Sequence, residues 1–241
     1  MKAMIFAAGM GTRLQPLTLT KPKALVEIKG KPMLEIILRR LINFGFTEVI
    51  INVHHFADQI RDFLNRNHNF GISVTVSDET DLLLDTGGGL MKAKFFFDDD
   101  KPFLVHNVDI LTNLNLNDLY HFHLAHNPLA TLAVKDRQTS RSLLINSNNE
   151  LSGWKNNQSG KTIIAREDET KLLPIAFSGV HVISPRIFPL ITETGVFSIT
   201  DTYLRLAREH TILTWRHDRN FWVDLGRASN LKEAEEYLDK L

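Results

Sequence analysis

The sequence predicts an α/β protein built on a doubly wound, mostly parallel sheet of Rossmann-like plan, with a small antiparallel β arm. Three observations carry this expectation. Apolar strand-like runs alternate with amphipathic helical patterns through the first half of the chain, which is the rhythm of βαβ units. Those runs are nearly continuous in apolar residues, as strands covered on both faces are. From about Lys135 to Lys171 the composition turns polar and rich in Asn, Ser and Lys, with short β runs inside it. With 241 residues, 43% hydrophobic and 23% charged, the chain is near globular averages and long enough to bury a large core. It reads as one unit over 1–241, with 135–175 as the arm.

Taken in order, Lys2 to Ala8 is the first strand and empties into the loop that begins at Gly9. Pro32 opens a helix that runs to about Phe44, and Gly45 closes it as a C-terminal glycine cap. Glu48 to Val53 is the second strand. Ala57 to Asn67 is helical, because Ile60 and Leu64 stand four apart with Phe63 beside them on one apolar face. Ile72 to Ser77 is the third strand. A loop through Asp78 to Gly89 leads to a short helix near Leu90 to Phe97, and Pro102 to Asn107 is another buried strand. The arm has a turn at Ser147-Asn148-Asn149, and Leu143, Leu144, Ile145, Leu151, Trp154, Ile163 and Ile164 give it apolar material to lay over the sheet. Phe177 to Ile183 is again a strand. Ser184-Pro185 has the look of an N-cap with proline at the first helical position, and a further helix follows Thr200. The last helix starts at Asn230 with Glu233 as in a capping box, and Leu231, Ala234, Leu238 and Leu241 form its core stripe. The chain shows no internal repeat.

Charge is placed rather than general. The formal net charge is zero, yet Arg13, Lys21, Lys23, Lys29 and Lys31 face only Glu27 over residues 13–31. Without a broad cationic excess a nucleic-acid partner is not expected. Zero cysteines exclude disulfides, thiolate metal sites and a cysteine nucleophile, and fit a reducing cytosol. No long apolar leader region and no run of eighteen apolar residues is present, so the expectation is a cytoplasmic protein with no membrane partner. Nothing in the sequence speaks to oligomeric state.

The first thirty residues carry the chemistry. Met4-Ile5-Phe6-Ala7-Ala8 is followed by Gly9-Met10-Gly11-Thr12-Arg13-Leu14, then Pro16, then Lys21-Pro22-Lys23-Ala24-Leu25. A strand that empties into a loop of glycines and fixed cations wraps backbone N–H groups around a polyphosphate. The spacing matches neither a P-loop nor the dinucleotide fingerprint, because the two glycines flank only Met10 and Leu14 stands where a third glycine belongs. Two carboxylates, Asp109 after the strand ending at Asn107 and Asp224 in Trp222-Val223-Asp224-Leu225-Gly226, can reach the same sheet edge and hold Mg²⁺, which takes oxygen ligands, keeps waters and bridges to substrate phosphates. For Asp109 taken alone a strand-end capping role is at least as good a reading. Neither His54-His55 nor His121-x-His123 has metal-ligand spacing on a helix.

The run from Ala7 to Leu25 resembles the signature of the sugar-1-phosphate nucleotidylyltransferases, an AAG-x-G-T-R-L opening followed by Pro-Lys-x-Leu, and Asn107-Val108-Asp109 and the 222–226 motif support it downstream. The resemblance implies an enzyme that joins a nucleoside triphosphate to a sugar 1-phosphate, giving a nucleotide-sugar and pyrophosphate with Mg²⁺. It assigns Arg13 to the triphosphate and leaving pyrophosphate, Lys23 to the α-phosphate or acceptor phosphate, and Asp109 with Asp224 to the metal. Ala8, Gly9, Gly11 and Thr12 are expected at the nucleotide, with Gly9 and Gly11 letting backbone approach where a Cβ would intrude. Asp85-Thr86-Gly87-Gly88-Gly89 looks like the family's second glycine loop, which puts Gly87 and Gly88 near base and ribose. Asn107 and Gly179 are expected at the sugar, and the arm beside the acceptor.

Two departures stand out. The family commonly has glycine before the metal aspartate, where this chain has Val108, whose side chain must point away from the phosphates or crowd them. The Glu-Lys-Pro triplet that hexose members use for the sugar is missing from 135–175, so the acceptor contacts differ. Within the family the short length and the Thr-Gly-Gly-Gly run are most similar to the single-domain N-acetylmuramate-1-phosphate uridylyltransferases, and next to mannose- or heptose-1-phosphate guanylyltransferases. A non-catalytic sensor of nucleotide-sugars remains an alternative of a different class. A glycosyltransferase is a weaker third, since it would more naturally show an Asp-x-Asp metal motif, which Asp98-Asp99-Asp100 mimics only as a charged helix end or turn.

Overall fold

The computed structural model describes residues 1–167 and 171–238. The chain opens with β1 (Lys2–Phe6), a hairpin of β2 (Glu27–Ile28) and β3 (Lys31–Pro32), and α1 (Met33–Asn43), followed by β4 (Glu48–Val53), α2 (Ala57–Arg66) and β5 (Ser73–Asp78). Next come α3 (Asp85–Lys92), β6 (Phe103–Asn107), β7 (Ile110–Thr112), α4 (Leu116–His126) and β8 (Ala130–Lys135). The arm holds β9 (Arg141–Ile145), β10 (Leu151–Asn156) and β11 (Thr162–Ile164). The chain returns through β12 (Leu173–Ile183), α5 (Ile199–Leu206), β13 (Ile212–Arg216), β14 (Trp222–Asp224) and α6 (Leu231–Leu238).

The central sheet is mixed and mostly parallel, with helices on both faces. Its heart is the run β6-β1-β4-β5, all parallel, with Met4 opposite Ile50 and Val105. Successive residues of β1 serve opposite faces, as strand geometry requires. Ala3 and Ile5 join a core with α1, α2, α4 and α6, while Met4 joins one with α3 and α5. This is why β1 carries no solvent-facing alternation.

β12 runs antiparallel and ties the molecule together. Residues 180–183 pair with β6, residues between 176 and 183 pair with β8 across a register shift, and residues 173–175 pair with β9. The 135–175 stretch is therefore continuous with the sheet edge through β9, β10 and β11, and the expectation that it lies over the sheet is corrected. The long β12 provides the reason, since its first three residues run past the ends of the β6 and β8 pairings and offer a strand edge that β9 completes. The expected turn forms, with Asn146 Oδ1 accepting from Asn148 N at 3.0 Å and Glu150 N at 2.9 Å, and Asn149 at φ 60°.

Further corrections concern ends and caps. β1 stops at Phe6, two residues early, because Ala7 N donates to the Asn52 side chain at 2.7 Å instead of extending the ladder. Ser184 precedes a 3₁₀ turn over Pro185–Leu190, and its hydroxyl accepts from Arg186 Nε at 3.0 Å rather than capping the turn. Asn230 sits in a 3₁₀ turn before α6, and its amide donates to Asp224 O at 2.8 Å while its Oδ1 accepts from Ser229, so it serves the 224 loop. Leu241 lies outside the described residues. The largest correction is α3. Residues expected to form a glycine loop are helical from Asp85, because Gly87 and Gly88 let the 195–197 segment come close and their N–H groups donate to Phe197 O at 2.9 and 3.3 Å.

Candidate active site

Parallel strands end on one edge of the sheet, and the loops that leave them meet there. The loop after β1 turns at Gly11, whose φ of +65° falls in the left-handed region that favours glycine. A Cβ on Gly11 would lie 2.8 Å from Thr18 Cγ2 and 3.1 Å from Lys23 Cβ. Gly11 is thus required by the packing of its own loop, which corrects the expectation that it makes room for a ligand. Thr18 Oγ1 closes the loop by donating to Gly11 O at 2.8 Å, and fully buried Leu14 pins it to the core. Gly9 has open space where a Cβ would stand and lines a cavity of about 370 Å³ together with Ala8. Thr12 is exposed at the start of a 3₁₀ turn and lies outside the residues that line this cavity.

Lys23 and Arg13 are brought to the two carboxylates. Lys23 Nζ is hydrogen-bonded to Asp109 Oδ2, with side-chain exposures of only 12% and 16%. Arg13 NH1 stands 3.7 Å from Asp224 Oδ2, and its side chain is 55% exposed. The carboxylates converge because β14 pairs antiparallel with β7. Asp224 lies opposite Ile110, and Leu225 N donates to Asp109 O at 2.7 Å. Gly226 closes the cluster. Its N–H donates to Asp224 Oδ1 at 2.7 Å, and a Cβ there would lie 2.7 Å from Arg13 NH2 and 3.1 Å from Lys23 Nζ.

A second cavity, of about 460 Å³, begins on the far side of this cluster, and both cavities are lined by Asn107 and Asp109. Asn107 and Gly179 lie together on the second cavity, since a Cβ on Gly179 (φ +73°) would meet Asn107 Nδ2 at 2.8 Å. A further cavity of about 580 Å³ extends along the arm past Arg141 and Trp154, sharing Arg13, Thr139, Ser140 and Phe177 with the second. Val108 is only 3% exposed, and its side chain is taken up by the larger core along the wall of the first cavity.

Gly87 and Gly88 are not brought to the cavities. Added Cβ atoms would meet Phe197 Cδ2 at 2.3 Å and Gly195 O at 2.4 Å, so both face the 195–197 segment while Asp85 and Thr86 line the first cavity. Asn52 and Glu79 were missed by sequence reasoning. Asn52 bridges Ala7 N at 2.7 Å and Glu79 Oε1 at 2.8 Å, and Glu79 Oε2 accepts from Leu84 N at 3.1 Å, which fixes the cavity wall between β5 and α3. The available signal was an asparagine inside the apolar run Ile50-Ile51-Asn52-Val53, since a polar side chain buried in a strand must find partners. Arg137, which also lines the second cavity, carried no pattern beyond its polar surroundings.

The donor set suits Mg²⁺. Two carboxylates line one cavity, no group of three or more potential metal-binding side chains occurs among the described residues, and Mg²⁺ asks for only one or two carboxylates with waters and phosphates completing its shell. Fixed cations and paired carboxylates between two cavities, at the carboxyl edge of a doubly wound sheet, define a nucleotide-handling α/β transferase.

Residues 2–145 match the Nucleotidyl transferase family. The chain belongs to this family, the sugar-1-phosphate nucleotidylyltransferases. It is 31% identical over 98% of its length to the N-acetylmuramate alpha-1-phosphate uridylyltransferase of Neisseria meningitidis serogroup B, covering 97% of that protein. It is 29% identical over 96% of its length to the enzyme of the same name from Caulobacter vibrioides, again covering 97%. The fold matches a putative glucose-1-phosphate thymidylyltransferase from Bacillus anthracis with a TM-score of 0.82 at 18% identity, over all of this chain and 96% of that one.

Proposed function

We propose that this enzyme transfers a uridylyl group from UTP to N-acetylmuramate 1-phosphate or a closely related sugar 1-phosphate, supplying a precursor for cell-wall metabolism. The observation that carries the reading is the pair of cavities sharing Asn107 and Asp109 as a common wall, with Lys23 and Arg13 at the junction. Two substrates placed on either side meet at that wall. The first cavity has apolar walls in Phe6, Leu83, Val108 and Val196, which suit a flat base, and Gly9 and Ala8 let backbone approach its phosphates. The second takes the acceptor, whose sugar extends past Asn107 and Gly179. The substrate assignment is supported by the likeness to the two N-acetylmuramate alpha-1-phosphate uridylyltransferases.

The acceptor phosphate, with a second pKa near ~6, is already largely anionic at neutral pH, so no general base is needed. One of its oxygens forms a bond to the α-phosphorus as the bond to the bridging oxygen of pyrophosphate breaks, and the electron pair leaves with pyrophosphate. Lys23 holds charge between the two reacting phosphates, and Arg13 presents a fork to the leaving pyrophosphate. Asp109 and Asp224 would hold Mg²⁺, which when bound neutralises charge on the triphosphate. Lys23 and Arg13 balance these carboxylates in the free protein.

Incubating the protein with Mg²⁺, each nucleoside triphosphate and a panel of sugar 1-phosphates while measuring pyrophosphate tests the reading. UTP with N-acetylmuramate 1-phosphate should react fastest. Preference for GTP with a mannose or heptose 1-phosphate would move the chain to the guanylyltransferases. Pyrophosphate released at an unchanged rate without acceptor would overturn the transfer reaction itself.

A further inference from the structure

Arg137 lines the second cavity beside Arg13 and Arg227. Arg137 follows β8 on a segment fixed at its start, where Asp136 N donates to Asp218 Oδ1 at 2.7 Å and Lys135 Nζ to Asn220 O at 2.8 Å. Its guanidinium lies 3.8 Å from the centroid of the Trp222 ring, and its NH2 donates to Phe177 O at 2.7 Å. Trp222 is itself held, Nε1 donating to Ser178 O at 2.9 Å. A planar cation is thereby clamped between a ring and a strand carbonyl, with little rotamer freedom left to lose on binding.

Its charge has no carboxylate of its own. None of the ion pairs among the described residues includes Arg137, and its Nε is buried without a hydrogen-bond partner. Burial pushes the guanidinium pKa down, partly offset by the charge of Asp224, yet arginine stays protonated in proteins. A half-buried cation with spare donors carries a desolvation cost that an incoming anion offsets. Asp109 and Asp224 in the same cavity face Lys23 and Arg13 instead.

We propose that Arg137 binds the phosphate of the acceptor sugar 1-phosphate and holds it in the second cavity, facing the α-phosphate across Asp109. This rests on the reading that the second cavity takes the acceptor. A guanidinium fork offers paired N–H donors to two phosphate oxygens, the geometry that suits a phosphate monoester. The position also answers the missing Glu-Lys-Pro triplet, because a cation for the acceptor is supplied from the segment after β8 instead.

The test compares Arg137→Gln and Arg137→Lys with the natural enzyme in initial-rate kinetics, varying acceptor and nucleotide separately, with thermal melting alongside. Losing a charged hydrogen bond to phosphate should raise KM for the sugar 1-phosphate by roughly tenfold to a hundredfold in Arg137→Gln. KM for the nucleotide should stay within about twofold. Arg137→Lys keeps stem and charge but loses the fork, so the same KM should rise only severalfold, and this variant decides if the glutamine form does not fold. Titration calorimetry with N-acetylmuramate 1-phosphate and with free N-acetylmuramate supplies a readout independent of turnover. The natural protein should bind the phosphorylated sugar far more tightly, and Arg137→Gln should lose most of that difference. An unchanged acceptor KM, or a parallel rise in the nucleotide KM, overturns the proposal. Should no sugar 1-phosphate be turned over, the proposed function fails, and calorimetry still judges Arg137: equal binding by both proteins, or none by either, overturns its role.

Discussion

The Lys23–Asp109 pair joins two groups that the proposed reaction uses separately, a cation for phosphate and a carboxylate for metal. Lys23→Ala is therefore expected to lower turnover by on the order of a hundredfold or more, since a transition-state charge contact is typically worth about 3 kcal/mol. The melting temperature should remain near that of the natural protein, and a near-natural rate would demote Lys23 to a structural partner of Asp109. Asp109 and Asp224 sit on paired segments, and if they share a metal each Asp→Asn change removes the same catalytic unit. A double-mutant cycle on kcat should give strongly non-additive losses. Fully additive losses, or an active Asp224→Asn enzyme, would sink the shared-metal idea, while collapse of melting in either variant would favour a strand-end cap. Gly226 offers a subtler probe. A methyl group there enters the space between Arg13, Asp224 and Lys23, so Gly226→Ala should retain the fold and lose activity, measured as kcat beside a thermal melt.

At the level of elements, α3 shows how packing overrides local preference. Three consecutive glycines disfavour a helix by roughly 1 kcal/mol each relative to alanine, yet 85–92 is helical because Gly87 and Gly88 admit the 195–197 segment. Gly88→Ala would gain about 1 kcal/mol of propensity and set a methyl carbon 2.4 Å from Gly195 O. Overpacking against backbone costs about 1–3 kcal/mol, so the net change should be destabilising and visible as a lower urea midpoint, and a stabilised variant would show that the 195–197 segment yields freely. The same contrast explains what was legible in the sequence. β4 has the bounds read from its apolar run and Gly45 ends α1 as expected, because local geometry decides both. Lys23, Arg13, Asp109 and Asp224 are all legible from motif, and the structure brings the four together. The helical state of 85–92, the joining of the arm to β12 and the clamping of Arg137 on Trp222 depend on contacts between distant segments, which no local pattern encodes.

Across the whole molecule, four histidines are buried in or beside the sheet and kept neutral. Burial holds His106, His123 and His217 down to about 4 and His181 to about 3, with the nearby charge of Arg40 adding to the effect at His106 and that of Arg186 at His123. An unfolded histidine titrates near 6.5, so between that value and about 4 the unfolded chain binds protons the folded one refuses. Their contribution to stability is complete above pH ~6.5 and is lost as the pH falls toward 4. Glu193, held to about 2 by Arg205, works in a lower window, its contribution being present above its unfolded value near 4.5 and lost as the pH falls through 2. The two classes can therefore be separated by pH. Melting temperature should fall between pH 7 and pH 5 by at least several degrees, since 1 kcal/mol shifts it by about 2–4 °C in a chain of this size. His123→Gln should flatten that slope, because it removes one proton-linked group and leaves an amide that can still pair with Thr131, now 2.9 Å from His123 Nδ1. A melting temperature constant from pH 7 to pH 5, or a variant with the natural slope, would show that these histidines are solvated enough to titrate as they do in the unfolded chain.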